Sequence, residues 1–178
     1  MREEKIAIFD LDGSLVKTDE ANSAAYGRAL DMLGGHGMYA LNGRVTAEMV
    51  RGIGLSEMDV DAVVRAKIDA YCRELWRTQL GSAAEAFRLV LVNRNLFDKV
   101  VLLTNSMERR AMETLRYYGF EHCFDEIVCN CGQGDKYANY FRIFDSDPAA
   151  CVVWENEEGQ IMSAIAAGVK MENIRKVG

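Results

Sequence analysis

Ile6-Ala7-Ile8-Phe9-Asp10-Leu11-Asp12-Gly13-Ser14-Leu15 is the stretch on which the prediction of the fold depends. Its first four residues form an uninterrupted apolar run, which is typical of a strand buried on both faces of a parallel sheet. Two carboxylates, a glycine and a hydroxyl follow directly. Ligands of open α/β sheets bind outside the carboxyl ends of the strands, so we expect Asp10 and Asp12 to lie where a ligand binds.

Two carboxylates this close in sequence favour a hard cation with oxygen ligands, and Mg2+ fits best. Side chains alternate along an extended chain, so Asp10 and Asp12 share one side if the strand continues. The alternative is a strand end with two solvated acids, which is the commoner meaning of an isolated Asp-X-Asp. The complete string, with a hydrophobic strand before it and Gly-Ser-Leu after it, is more specific.

The composition is that of an ordinary globular protein of 178 residues, with a formal net charge of -6 and a pI near 5.0. Affinity for nucleic acids rests on clustered Lys and Arg, so this balance argues against a nucleic-acid polymer as partner. A small phosphorylated ligand held by a metal is compatible with it. The oligomeric state is left open.

The sequence also gives an expectation about location. No apolar run approaches the roughly 18 residues needed to cross a bilayer, and the first residues lack the pattern of a secretory signal. We therefore predict a cytoplasmic protein with no membrane partner.

The cysteines are odd in number and lack a paired Cys-X-X-Cys framework, which predicts reduced thiols that pack as small hydrophobic side chains. A metal cluster around Cys129 and Cys131 is a weak alternative, because zinc sites usually bring a second pair of thiolates. The five are Cys72, Cys123, Cys129, Cys131 and Cys151.

Strands that alternate with helices predict an α/β fold, a Rossmann-like parallel sheet with helices on both faces. The later strands are predicted at residues 100–103, 126–129 and 151–154. Residues 19–81 have helical spacing instead, including one long helix that Gly81 ends. We therefore predict a core of residues 1–18 and 82–178, with a small all-helical cap of residues 19–81 inserted between the first two core strands.

Polar groups follow the later strands as well. Thr104 and Asn105 precede a helix whose first N-H groups can bind phosphate oxygens. Lys136 lies between the third strand and the next helix, and Glu155 with Asn156 follows the fourth strand. Taken singly, these groups have ordinary alternatives: a helix N-cap, a solvated surface lysine and an acidic solvated turn.

Residues 9–15 resemble the first motif of the haloacid dehalogenase superfamily, with Ser14 in place of the usual threonine. The four polar sets occur in the order of the four motifs of that family. The position and size of the cap are similar to those of the beta-phosphoglucomutase and phosphoglycolate phosphatase branch. The resemblance implies a Rossmann-like core, a helical cap and a Mg2+-dependent phosphatase.

The resemblance also implies a role for each polar set. Asp10 would be the nucleophile that forms an aspartyl-phosphate, and Asp12 would be the general acid and base. Mg2+ would be held by Asp10, by the backbone carbonyl of Asp12, and by Glu155 or Asn156. The transferring phosphate oxygens would be bound by Thr104, Asn105 and Lys136.

Two motifs depart from the family pattern. The family commonly has proline after the lysine, whereas this chain has residues 137–139, Tyr-Ala-Asn. The fourth motif commonly has two acids, whereas this chain has Glu155 and an amide at Asn156. Mg2+ tolerates a neutral carbonyl oxygen, and Glu157 or Glu158 could serve if the loop is shifted.

An acid at Asp12 favours phosphate esters over organic halides as substrates. Cleavage of a carbon-halogen bond needs no acid to protonate a leaving alkoxide, whereas cleavage of a phosphate ester does. A phosphosugar mutase is an alternative, although Asn22 stands where that mutase has a histidine, which favours a simple phosphatase. A catalytically weak relative that binds a phosphorylated ligand or a partner protein is another alternative, suggested by the two departures. We expect a phosphomonoesterase acting on a small phosphorylated metabolite.

Overall fold

A computed structural model describes residues 4–33, 45, 47–52 and 57–178. Within these residues the strands form one large and one small sheet. The strands are β1 (Ile6–Phe9), β2 (Val16–Lys17), β3 (Gln79–Leu80), β4 (Lys99–Thr104), β5 (Glu126–Cys129), β6 (Cys151–Glu155) and β7 (Ile174–Lys176).

The large sheet is parallel and has the strand order β5-β4-β1-β6-β7, while β2 and β3 form the small one. β1 lies at the centre, where Ile6 pairs with Lys99 of β4 and with Cys151 of β6. Thr104 and Cys129 pair at the ends of β4 and β5. The predicted α/β fold with a parallel sheet is confirmed.

The helices follow the strands of the large sheet in alternation, except for a helical stretch between β2 and β3. No helix of the described part of the chain is long and apolar enough to cross a membrane. The α-helices are α1 (Asp19–Met32), α2 (Ala47–Gly52), α3 (Glu57–Arg73), α4 (Ala83–Val92), α5 (Glu108–Tyr118), α6 (Lys136–Phe144) and α7 (Glu158–Ala166).

Both faces of the large sheet are covered. Along β1, Ala7 and Phe9 belong to one hydrophobic cluster and Ile6 and Ile8 to another, and all four are fully buried. Side chains of α4 and α5 complete the first cluster, and side chains of α6 and α7 complete the second. An uninterrupted apolar strand is what a sheet buried on both faces requires.

Aromatic rings pack next to the end of β1. Phe9 stacks on Trp154 of β6 with ring centroids 4.3 Å apart, and the edge of Phe87 from α4 meets it at 5.1 Å. Such pairs add about 1 kcal/mol each beyond the area that they bury. They fix the strand end from which Asp10 and Asp12 follow.

The chain divides into two compact units, Met1–Val16 with Leu80–Gly178, and Lys17–Gln79. The sequence predicted residues 1–18 with 82–178 as a core and 19–81 as a cap. The roles of the two units as catalytic core and cap stay predictions.

The described residues of the second unit are mainly helical, and one predicted helix end in it is wrong. α3 ends at Arg73 rather than at Gly81, and a 3-10 helix, Leu75–Arg77, follows. The carboxylate of the fully buried Glu74 pairs with Arg28 and with Arg77 in that next turn. These ion pairs favour the tighter turn, since a buried charge must be paired.

The start of α4 is held by backbone contacts and not by a side-chain cap. The Ser82 side chain makes no capping hydrogen bond. Instead, the Ala83 N-H donates to the Ser14 carbonyl at 3.1 Å, and the Gly81 N-H donates to the Leu15 carbonyl at 2.8 Å. The loop after β1 therefore anchors the beginning of α4 through its backbone.

The cysteines are all free, but the burial of one differs from the prediction. Cys151 is buried, Cys131 is exposed, and the other three are partly buried. Cys151 belongs to the second hydrophobic cluster, and Cys123 and Cys129 pack against the first, as predicted. Cys131 departs from the prediction, because it is exposed in a loop where its φ is 50°.

Candidate active site

Four neighbouring strands deliver polar groups to one edge of the large sheet. Asp10 follows β1, Thr104 ends β4, Asn130 follows β5 and Glu155 ends β6. Lys136 is the first residue of α6, directly after the loop that follows β5. The carboxyl ends of parallel strands are where ligands of such sheets bind.

The centre of the candidate site is a buried cluster of three charges. The ammonium of Lys136 lies 2.7 Å from Asp10 Oδ1 and 2.7 Å from Glu155 Oε2. Asp10, Lys136 and Glu155 are 5%, 2% and 0% exposed. One ammonium and two carboxylates leave a formal charge of -1 away from bulk water, so a further cation would be stabilised here.

Burial alters the acidity of this cluster. Burial raises the pKa of Asp10 to about 7, with Lys136 opposing this rise and Glu155 adding to it. Burial disfavours the ammonium of Lys136, but the two carboxylates outweigh this effect and raise its pKa. Lys136 therefore stays charged, and Asp10 would gain from additional positive charge.

Glu155 is held by four donors. Its Oε2 accepts from Lys136 and from the Tyr137 hydroxyl at 2.9 Å, and its Oε1 accepts from the backbone N-H groups of Asn156 and Glu157 at 3.0 and 3.2 Å. A carboxylate offers about four acceptor positions, so all are used. In this arrangement Glu155 orients Lys136 and has no lone pair left for a metal.

Asp12 is fixed through both of its carboxylate oxygens. Ser106 Oγ donates to Oδ2, and the Arg110 guanidinium pairs with Oδ1. Thr104 Oγ1 accepts from the Ser106 N-H at 3.1 Å, so its own hydroxyl hydrogen can be donated to a ligand. Arg110 and Ser106 complete an environment for Asp12 that the sequence motif alone did not indicate.

Asn156 lies against the loop that follows β1. Ser14 Oγ donates to Asn156 Oδ1 at 2.9 Å. In the opposite amide orientation, Nδ2 occupies this position and donates to the Asp12 carbonyl at 3.1 Å and to Glu155 Oε1 at 3.2 Å. That orientation makes more hydrogen bonds. In the first orientation, Asn156 Oδ1 lies beside the Asp12 carbonyl oxygen and Glu155 Oε1, and three neighbouring oxygens are what a bound cation would require.

Gly13 makes this close approach possible. Its φ is +83°, in the left-handed region that favours glycine, and a Cβ there would lie 2.4 Å from Asn156 Nδ2. The glycine of the first motif therefore serves both the turn and the packing of the fourth motif.

The donor set fits a magnesium ion that keeps several waters. Asp10 offers a carboxylate, Asp12 a backbone carbonyl and Asn156 an amide oxygen, and Mg2+ is usually bound through one or two carboxylates. Among the described residues, no three His, Cys, Asp or Glu side chains form a metal-binding group. Such a site would therefore depend on neutral oxygens as well as on carboxylates.

The structure brings most of the predicted residues together. Asp10 contacts Lys136, Lys136 contacts Glu155, and Asn156 lies beside Asp12. Glu158 is not part of this group, because its exposed carboxylate pairs with Lys176. Glu157 contributes its backbone N-H at the start of α7.

Sequence reasoning missed four side chains that support the site: Ser106, Arg110, Tyr137 and Asn130. Each acts through a predicted residue, so the motif pattern carries little signal for it. Tyr137 offered the one hint, since it stands where the family commonly has proline.

Comparisons with known proteins agree with this fold. No protein-family model matches the chain. The fructose-1-phosphate phosphatase YqaB of Escherichia coli (strain K12) is 26% identical over 186 residues, covering 94% of this chain and 95% of that protein.

Several solved structures share the fold, and two of them serve as examples. CbbY from Rhodobacter sphaeroides, in complex with phosphate, is 17% identical and superposes with a TM-score of 0.71, covering 94% of this chain and 84% of that one. A putative beta-phosphoglucomutase from Thermotoga maritima is 22% identical with a TM-score of 0.65, covering 97% and 84%.

The chain has the fold of haloacid dehalogenase-like proteins and is similar in sequence to the phosphatase YqaB over nearly its whole length. The resemblance stated from the motifs is thus confirmed. The expected class of enzyme, a haloacid dehalogenase-like phosphatase, agrees with the similar proteins.

Proposed function

We propose that this protein is a Mg2+-dependent phosphomonoesterase that acts on a small phosphorylated metabolite through an aspartyl-phosphate. The observation that carries the proposal is the buried Asp10-Lys136-Glu155 cluster at the carboxyl edge of the sheet, with Asp12 nearby. Because YqaB is named for fructose-1-phosphate, a sugar phosphate is the class of substrate that we favour.

Asp10 is the proposed nucleophile. One of its carboxylate oxygens attacks phosphorus, the bond from phosphorus to the leaving oxygen breaks, and Asp12 protonates that oxygen. Water then attacks the aspartyl-phosphate and gives a proton to Asp12, which releases inorganic phosphate and restores Asp10. Lys136 favours the ionised form of Asp10 and orients its carboxylate, and Ser106 with Arg110 holds Asp12 in place.

The phosphate oxygens would be bound by groups at the end of β4 and by the buried ammonium. Thr104 can donate its hydroxyl hydrogen, because its oxygen already accepts from the Ser106 N-H. Asn105 and Lys136 supply further donors. Fixed donors of this kind stabilise the charge that spreads over the phosphoryl oxygens in the transition state.

Mg2+ would be held by Asp10, by the Asp12 carbonyl and by the Asn156 amide oxygen, with Glu155 as a ligand only if it released one of its four donors. When bound, the ion offsets the repulsion between the carboxylates and the phosphate. The side chains named above would bind the phosphate oxygens and transfer the protons.

A second candidate function is binding of a phosphorylated ligand without turnover. It is favoured by one observation: the Asn156 amide nitrogen can donate to the Asp12 carbonyl and to Glu155 from the position where a cation is expected. A phosphosugar mutase is less favoured, because Asn22 stands in place of the expected histidine and donates to the Val45 carbonyl at 2.8 Å.

Hydrolysis of an aryl phosphate, with and without millimolar Mg2+, tests the proposal. We expect Asp10→Asn to lower the rate at least about a thousandfold, because it removes the nucleophile and nearly keeps the shape. Asp145→Asn is the matched control, since Asp145 is exposed and its left-handed backbone suits asparagine.

A rate above a few per cent in Asp10→Asn would contradict the proposed mechanism. If the wild type turned over no phosphate ester from a panel of sugar phosphates but still bound phosphate, the second candidate would stand instead.

A further inference from the structure

Three asparagine side chains form a hydrogen-bonded chain beside the candidate site. Asn105 follows β4, Asn130 follows β5 and Asn139 lies in α6. Asn139 Nδ2 donates to Asn130 Oδ1 at 3.0 Å, and Asn130 Nδ2 donates to Asn105 Oδ1 at 2.9 Å. Only Asn105 belongs to the predicted phosphate-binding residues.

Backbone carbonyls determine which way these amides face. Asn139 Nδ2 also donates to the Gln133 carbonyl at 2.7 Å, and Asn130 Nδ2 also donates to the Gly134 carbonyl at 3.0 Å. A carbonyl can only accept, so each of these two amides must present its nitrogen to that carbonyl. The orientations of Asn130 and Asn139 are thus set independently of each other, and they agree.

The orientation of Asn105 follows from that of Asn130. Its Oδ1 is occupied as the acceptor of Asn130 Nδ2. The atom that Asn105 has left for a ligand is therefore Nδ2, a donor, which suits the oxygens of a phosphate and not a cation or a hydroxyl hydrogen. Reversing the Asn105 amide would place its Nδ2, a donor, against the Nδ2 donor of Asn130.

We propose that Asn130 and Asn139 are positioning residues that hold the Asn105 amide with its nitrogen available to a phosphate oxygen. This inference rests on the proposed function of the site.

The same amides also shape the loop that leads to Lys136, because the Gln133 and Gly134 carbonyls belong to it. A purely structural role would therefore change the loop without acting through Asn105. The test must separate these two effects.

Binding of inorganic phosphate, measured by calorimetry in millimolar Mg2+, provides the test. Asn130→Asp keeps the shape but removes the donor, so its carboxylate would draw the Asn105 nitrogen away from the ligand. We expect the dissociation constant to rise about tenfold or more, which is typical for a lost hydrogen bond to a charged group. Asn139→Ala should have a smaller effect, since Gly134 still orients Asn130.

The control variant is Asn93→Asp, which makes the same change at an exposed asparagine that bonds the Leu89 carbonyl. It should leave phosphate binding unchanged. Thermal unfolding of every variant establishes that the fold is kept.

A double-mutant cycle decides whether Asn130 acts through Asn105. In an Asn105→Ala background, we expect Asn130→Asp to change phosphate binding less than about twofold. An equal loss in both backgrounds, or no loss in the single variant, would overturn the inference, as would a wild type that does not bind phosphate. A wild type that binds phosphate but hydrolyses no ester would contradict the proposed function alone.

Discussion

Lys136 is the residue whose positive charge compensates the buried carboxylates of Asp10 and Glu155. It is 2% exposed and lies within 2.7 Å of both Asp10 and Glu155. Removing one partner of a buried ion pair commonly costs about 3–5 kcal/mol, because the other partner stays buried without compensation. The same lysine that would bind a phosphate therefore also contributes to the stability of the fold.

We predict that Lys136→Met lowers the free energy of unfolding by about 3 kcal/mol or more. Urea denaturation at pH 8 with a chelator measures this effect, since an added cation could replace the lost charge. Lys176→Met serves as control: Lys176 and Glu158 form an exposed pair, and such pairs contribute little. A loss below about 1 kcal/mol in Lys136→Met would show that the two carboxylates find another partner or take up protons.

Asn156→Asp should change both metal affinity and stability. The new carboxylate would lie beside the Asp12 carbonyl and Glu155 Oε1, where the amide nitrogen can now donate. Without a cation these oxygens repel one another, and with Mg2+ they gain a stronger ligand. We expect a lower melting temperature without Mg2+ and a lower Mg2+ concentration for half-maximal activity.

Thermal unfolding with and without Mg2+, together with a Mg2+ titration of activity, measures both effects. If neither changed, Asn156 would not be a ligand, and Glu155 would have to release one of its four donors to bind the ion.

At the scale of elements, the loop after β1 and the start of α4 depend on a glycine. A Cβ on Gly81 would lie 2.0 Å from the Ser14 carbonyl oxygen, which is backbone and cannot turn away as a side chain would. This contact lies four residues after Asp10, so its displacement would reach the site. Overpacking of this kind typically costs about 1–3 kcal/mol.

We therefore predict that Gly81→Ala lowers the free energy of unfolding by about 1–3 kcal/mol and also reduces activity. Gly159→Ala is the matched control, because nothing lies within 4 Å of a Cβ there and alanine is favoured in a helix such as α7. Equal stability of the two variants in urea denaturation would mean that the loop adapts without cost.

The elements that could be predicted from the sequence are those with a strong local pattern. The apolar runs of β1, β4 and β6 gave correct assignments. β7 was missed, because two of its three residues are the exposed Arg175 and Lys176. The end of α3 was misplaced, since it depends on an ion pair of Glu74 with the distant Arg28.

At the scale of the whole molecule, the site could be predicted only in part for a similar reason. Motif residues such as Asp10 and Lys136 are recognisable because their order along the chain matches strand ends. Arg110 and Asn130 carry no such mark, since each contacts a motif residue only after β1, β4 and β5 have paired. The local sequence therefore indicates the motif residues, whereas the residues that contact and orient them are determined by the tertiary structure.

The central place of β1 has a consequence for synthesis of the chain. Its partners in the sheet are β4 and β6, so Ile6 finds Lys99 and Cys151 only after most of the chain has left the ribosome. Until then an apolar strand has both edges open, and unpaired strands of this kind associate with other chains. The yield of folded protein in cells should therefore depend on how quickly residues up to 151 follow, or on a chaperone that covers Ile6–Phe9 in the meantime.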